Sequence, residues 1–328
     1  MRPFRYERAH DAAAAVELCG REPGAAFLAG GTNLVDLMKL DVERPELLVD
    51  ITRATSDRIE SLPDGGVRIG AAVRNSDLAA DPVIRERYPA LSQALLSGAT
   101  YQLRNLATTG GNLMQRTRCV YFQDVTKPCN KRTPGSGCAA REGYHRGLAV
   151  LGHSQSCVAT QPSDMAVALA AFDAVVRVQG AAGTRKVPLT EFHRLPGDEP
   201  QRDTVLEHGE LIVAVDLPSL PIAARSRYRK VRDRASYAFA LVSVAAAIDV
   251  DDGVVRDVRI ALGGVAHKPW RATRAEEALR GAKPAEELFA RAADAELERA
   301  TPLPANGFKV ALARNTIVRT LLDLVEQL

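Results

Sequence analysis

The chain has 328 residues, a net charge of +3, and 46% hydrophobic but only 5% aromatic residues, a profile suited to two globular domains or one large domain with a sub-domain. Its basic residues are scattered, which argues against nucleic acid, and no apolar run approaches the ~18 residues of a membrane span. The opening MRPFRYERAH is positively charged but has no apolar core behind it, so it is not read as an export signal.

In chain order, Asp11 opens a helical stretch, and Cys19 sits at its end as a small structural thiol on an apolar face. Residues 24–28 read as a short buried strand. Gly30 and Gly31 then turn the chain into a short helix with Leu34, Leu37, Met38 and Leu40 apolar. LLVDI (47–51) and VRIGAAV, after the turn at Asp64, are strands, and the helical stretch from Pro82 is broken by Pro89. After a cysteine-rich segment, Ser163 or Asp164 caps a helix, VVRVQG follows as a strand, and ELIVAVDLP closes the first part. The two prolines of LPSLPIAARS mark a linker. Beyond it lie two long strand patterns around Asp251-Asp252-Gly253 and three helical stretches, which predicts an α+β layer packed beside the main domain.

Two loops could carry ligand chemistry. Ala29-Gly30-Gly31-Thr32-Asn33 joins a strand to a helix, where glycine N–H groups can approach an anion closely. Thr108-Thr109-Gly110-Gly111-Asn112 has the same grammar, and two such loops could grip the two phosphates of a dinucleotide. Neither is a G-x-G-x-x-G fingerprint, so a Rossmann site is not supported. Asp164, at a helix start, is placed either to cap or to accept hydrogen bonds from a polyol. Lys230 opens a strand of the second part.

Cys119, Cys129, Cys138 and Cys157 stand in one Gly-, Pro-, Arg- and Lys-rich stretch that begins directly after the second loop. A long irregular segment needs something to order it or a function to justify it. Nine, eight and eighteen residues separate successive cysteines, which matches neither the common ferredoxin spacings nor a paired C-x-x-C zinc pattern. All-thiolate ligation favours zinc or an iron–sulfur cluster; two disulfides or four free thiols are the other readings. His145 and His153 read as surface loop histidines. No Ser-His-Asp, paired-carboxylate or H-E-x-x-H pattern stands out in the sequence.

Together AGGTNLVDLMKL (29–40), ATTGGN (107–112), PSD (162–164) and ALGGVAHKPWRA (261–272) resemble the FAD-binding medium subunits of the molybdenum hydroxylases, the family of xanthine oxidase and carbon monoxide dehydrogenase, over essentially the whole chain. The cysteine segment resembles the flavin subunit of bacterial periplasmic aldehyde oxidoreductases. The resemblance implies an α+β fold: a two-subdomain FAD-binding domain over residues 1–217 with a cysteine-rich insertion at 116–158, then a C-terminal domain at 224–328 of the CO dehydrogenase flavoprotein type. It implies FAD contacts from Ala26, Phe27, Leu28, Ala29, Gly30, Gly31, Thr32, Asn33 and Leu34, from Thr108, Gly110, Gly111 and Asn112, and from Asp164 and Lys230. It implies that Cys119, Cys129, Cys138 and Cys157 hold a 4Fe–4S cluster.

The function so implied is electron transfer without catalytic residues of its own. A molybdopterin large subunit would oxidise the aldehyde and a small subunit with 2Fe–2S clusters would deliver electrons to this flavin. Without its own signal, the chain is expected to reach the periplasm with a partner bearing a twin-arginine signal, or else to stay in the cytoplasm. A zinc-stabilised nucleotide-binding scaffold without redox activity is the alternative. Neither the aldehyde nor the final acceptor is legible, and nothing marks a nicotinamide site.

Overall fold

Three sheets carry the fold. The computed structural model describes residues 1–327; Leu328, the last residue of the expected C-terminal domain, lies outside them. The first sheet is parallel, with β1 (Arg5–Arg8), β2 (Ala25–Leu28) and β3 (Leu47–Asp50) in the order β1-β3-β2. Parallel strands need a crossover; the helix Ala12–Arg21 carries the chain from β1 to β2, on the far side of β3. Asp11 caps that helix by accepting the Ala14 N–H at 2.8 Å, while Ala15, Val16 and Cys19 turn inward. β1 was not legible in the sequence: RYER has no alternating apolar pattern and lies on an exposed edge.

The second sheet is antiparallel and comprises β4 (Ile59–Ser61), β5 (Val67–Gly70), β6 (Val175–Gly180), β7 (Gly183–Pro188) and β8 (Leu211–Leu217), in the order β4-β5-β8-β6-β7. Between β5 and β6 run several helices and the cysteine segment. Pro89 does break the predicted helix, giving Pro82–Arg87 and Pro89–Ser97. All eight residues of the helix Asp164–Ala171 are buried. A helix apolar on every side belongs inside, and this one packs between the helix Pro89–Ser97 and the third sheet.

That third sheet is antiparallel: β9 (Ser226–Val231), β10 (Val242–Asp251), β11 (Val254–Gly263) and β12 (Trp270–Arg271), in the order β12-β11-β10-β9. Asp252 and Gly253 turn β10 into β11 with φ of 48° and 75°, the positive values a tight hairpin requires. The longest apolar run becomes β10, buried from Val242 to Ile248 because the helix Phe308–Val325 covers one face and Asp164–Ala171 the other. The end of the cysteine segment docks on this layer. Val150 donates to Val265 O at 2.8 Å, and the fully buried Lys309 donates to Leu148 O at 2.8 Å and to Gly264 O. Burial lowers the Lys309 pKa to about 7.

Candidate flavin site

β2 ends in the first glycine loop at the wall of a cleft of about 550 Å³, lined also by the second loop, Asp164 and Lys230. The predicted residues from Ala26 to Leu34 all face it except Leu28, which packs behind Gly31. The two loops touch. A Cβ on Gly30 would stand 2.0 Å from the Leu106 carbonyl oxygen, so only glycine fits there. Gly31 has φ +69°, a left-handed value that glycine adopts without strain. The N–H groups of Gly30, Gly31, Thr32 and Asn33 donate to no protein acceptor among the described residues. Four free donors in succession on a cleft wall form a concavity suited to an anion.

The second loop differs from the expected cradle. It is the first turn of a short helix, Thr109–Leu113, capped by Thr108. Its donors are already used: Gly110 N–H binds Ala71 O at 3.0 Å and Gly111 N–H binds the Thr108 hydroxyl at 3.2 Å. The N–H groups that a helix start leaves free are taken here by the carbonyls of Val73 and Ala71 and by the Thr108 cap. Asn112 Oδ1 accepts from Ser163 Oγ at 2.5 Å, tying this turn to the start of the helix Asp164–Ala171.

Ser163, not Asp164, is the cap of that helix, its hydroxyl accepting the Ala166 N–H at 3.0 Å. Asp164 is therefore free to face across the molecule. One oxygen accepts from Tyr228 Oη at 2.5 Å and the other from Lys230 Nζ at 2.7 Å, with both charged side chains nearly buried. Burial, and then the Asp164 charge, push the Tyr228 phenol pKa well up. The pair fastens β9 of the C-terminal layer to the cleft, and each carboxylate oxygen keeps a lone pair for a hydroxyl.

The cysteine segment is ordered mainly by side chains reaching carbonyls. Lys131, with no exposure, pairs with Asp203 and donates to Pro200 O at 2.7 Å. Arg116 pairs with Glu43 and, at 2.8 Å, with Asp203, and lies over the Phe122 ring. The Asp203 carboxyl stays well below the usual range: burial opposes its charge, but Lys131 and Arg116 outweigh it. Cys129 and Cys138 face each other across a short antiparallel bridge. With Cys157, Cys119, Phe122 and Leu148 they share one apolar cluster. All five cysteines are free thiols. Burial raises the Cys157 pKa, to about 12, and that of Cys119, whose charge also feels Cys129 and Cys138. Among the described residues no group of three or more His, Cys, Asp or Glu is placed to hold a metal ion. His145 is buried rather than superficial, because its Nε2 bonds to Arg141 O at 2.8 Å inside the segment. His153 is half-buried and bonds to Thr301 O at 2.7 Å. Cys19 lies in the core around the first sheet, away from the other four.

Sequence reasoning missed Arg118, Tyr237 and Phe239, which line the same cleft. The Arg118 guanidinium lies 5.1 Å from the centre of the Phe239 ring. The one available signal was the aromatic pair in the otherwise polar RDRASYAF stretch. Asp203 carries no sequence mark at all.

Comparison with known proteins accords with this geometry. The family model for the FAD binding domain in molybdopterin dehydrogenase matches residues 2–220, and that for the CO dehydrogenase flavoprotein C-terminal domain matches residues 226–324. The chain is 53% identical to the aldehyde oxidoreductase FAD-binding subunit PaoB of Escherichia coli (strain K12), over 98% of each. It is 27% identical to the glyceraldehyde dehydrogenase medium chain of Sulfolobus acidocaldarius, over 85% of this chain and 82% of that one. A chain in a structure of carbon monoxide dehydrogenase from Hydrogenophaga pseudoflava superposes with a TM-score of 0.76 at 27% identity, covering 99% of both chains. A chain of quinoline 2-oxidoreductase from Pseudomonas putida 86 also reaches 0.76, at 24% identity over 99% of this chain and 98% of that one, a likeness of fold. This chain therefore belongs to the FAD-binding medium subunits of the molybdenum hydroxylase family.

Proposed function

We propose that this chain is the electron-transfer flavin subunit of a molybdenum-dependent aldehyde oxidoreductase. The observation that carries the reading is the single cleft on which the free N–H groups of the first glycine loop, the capped second turn and the Asp164–Lys230 pair converge. The substrate class rests on the 53% identity to an aldehyde oxidoreductase FAD-binding subunit. In this reading the flavin domain spans residues 1–217, with the insertion at 116–158, and the C-terminal domain begins at 224.

FAD supplies the capacity to accept and release electrons, and the chain supplies binding and orientation. Gly30, Gly31, Thr32 and Asn33 would hold the pyrophosphate through backbone N–H groups. Thr108 and Asn112 would brace the facing wall, and Gly111 would leave room for the ligand. Asp164 would accept hydrogen bonds from ribityl or ribose hydroxyls, with Lys230 keeping its charge compensated. The apolar wall would exclude water.

Cys119, Cys129, Cys138 and Cys157 would hold a 4Fe–4S cluster. The support is their shared apolar cluster, their mutual electrostatic influence, and backbone N–H groups of Tyr121, Phe122 and Ala159 directed at sulfur. N–H···S bonds of this kind set cluster potentials.

The partners in this reading are a molybdopterin large subunit, which oxidises the aldehyde, and a 2Fe–2S small subunit, which delivers electrons here for an external acceptor. Export with a partner bearing a twin-arginine signal would place the complex in the periplasm. Anaerobic mixing with aldehyde tests the division of labour. The assembled complex should bleach its flavin bands, and the isolated chain should not. Aldehyde oxidation by the isolated chain would overturn it.

A further inference from the structure

Arg118 is the residue immediately before the first cysteine of the insertion, and it lines the flavin cleft. Among the described residues it forms no ion pair, and its Nε is buried with no acceptor. The other cations of the cleft are occupied. Lys230 pairs with Asp164, Arg116 pairs with Glu43 and Asp203, and Arg104 donates to the carbonyls of Gly98, Leu96 and Ala99. Arg118 has only the face of Phe239 and the more distant carboxylate of Asp36. A half-buried guanidinium with a buried Nε and unused donors is suited to an anion.

Its position says which anion. Asn33 Oδ1 accepts the Arg116 N–H at 2.8 Å, so the start of the insertion is pinned to the first glycine loop. Arg118, two residues on, lines the same cleft as the four free N–H groups of residues 30–33, whose arrangement suits phosphate. The Arg118 Nε has lost water without gaining an acceptor, a penalty that a ligand phosphate would offset. We propose that Arg118 binds the pyrophosphate of the dinucleotide, so that the cysteine-rich insertion contributes directly to flavin binding. The inference rests on the FAD reading above. It adds a link that the glycine loops do not imply: flavin affinity depends on the segment that carries the cysteines.

The test uses the full chain, freed of flavin and re-equilibrated separately with FAD and with riboflavin, which lacks the phosphates. Arg118→Gln should weaken FAD binding about tenfold or more, the scale of a charge-assisted contact, while riboflavin affinity changes little. Arg118→Lys should recover part of the FAD loss. Wild-type FAD affinity in Arg118→Gln would overturn the proposal alone. So would equal losses for FAD and riboflavin, which would make Arg118 a latch rather than a phosphate ligand. A wild-type chain that takes up no FAD would overturn the flavin reading and this proposal with it.

Discussion

Gly30→Ala is the substitution whose consequence the geometry fixes most closely. Its Cβ would lie 2.0 Å from Leu106 O and 2.7 Å from Leu106 C, both backbone atoms that no rotamer change can clear. Reaching even 3.0 Å requires the first loop and residue 106 to part by at least 1.0 Å. Overpacking of this kind costs about 1–3 kcal/mol. A ligand that needs the loops at their native separation must restore it, so part of that cost reappears as weaker binding. At 1.4 kcal/mol per tenfold, FAD affinity should fall between about five- and hundredfold. Gly111→Ala is the control. Its Cβ would meet only the Thr108 hydroxyl at 3.0 Å and Ala29 Cβ at 4.0 Å, so it should keep its unfolding midpoint while intruding on the ligand. Equilibrium dialysis with FAD, paired with urea unfolding, measures both effects. Gly30→Ala with wild-type affinity and wild-type midpoint refutes the reasoning.

Three further outcomes follow from particular contacts. Lys230→Met should destabilise the chain by about 3–5 kcal/mol, because it leaves the Asp164 charge buried; the double variant with Asp164→Asn should regain part of that loss in urea unfolding, and no regain contradicts the coupling. His193 and His267 are held neutral by burial, each with its pKa lowered from 6.5 to about 4. The unfolded chain therefore binds more protons between those values, so stability is full above about pH 7 and falls as pH drops through the window, by at most about 3 kcal/mol per histidine. Equal unfolding free energies at pH 7 and pH 5 would argue against it. Cys129→Ser should lose iron and expose residues 116–157 to limited proteolysis, whereas Cys19→Ser should keep its iron, since Cys19 lies in a separate core.

Most of the fold was legible where periodicity, caps or prolines acted locally. Asp11, Pro89, Ser163 and the Asp252-Gly253 turn all act within a few residues of themselves. β1 and β7 were not, because RYER and GTRKVP are exposed and carry no apolar alternation; pairing with distant strands makes them strands. Every residue expected at the flavin site except Leu28 lines the cleft, while the rest of its wall, with Arg118, Tyr237 and Phe239, was not read. What each loop offers was not read either, since the second loop's donors are consumed by Ala71 and Thr108. Nor could sequence show that Asp203, remote in the chain, neutralises both Lys131 and Arg116. Spacing alone could not name a metal for the four cysteines, and only their shared burial brings them into one neighbourhood.

Cofactor analysis of the purified chain tests the central claim most directly: bound flavin, iron, acid-labile sulfide and zinc measured on one sample, with an electron paramagnetic resonance spectrum after reduction. The account predicts one FAD with four irons and four sulfides, the composition of a single 4Fe–4S cluster, and the signal of that cluster when reduced. Flavin without iron would contradict the cysteine assignment, and a colourless protein with stoichiometric zinc would contradict the whole redox reading.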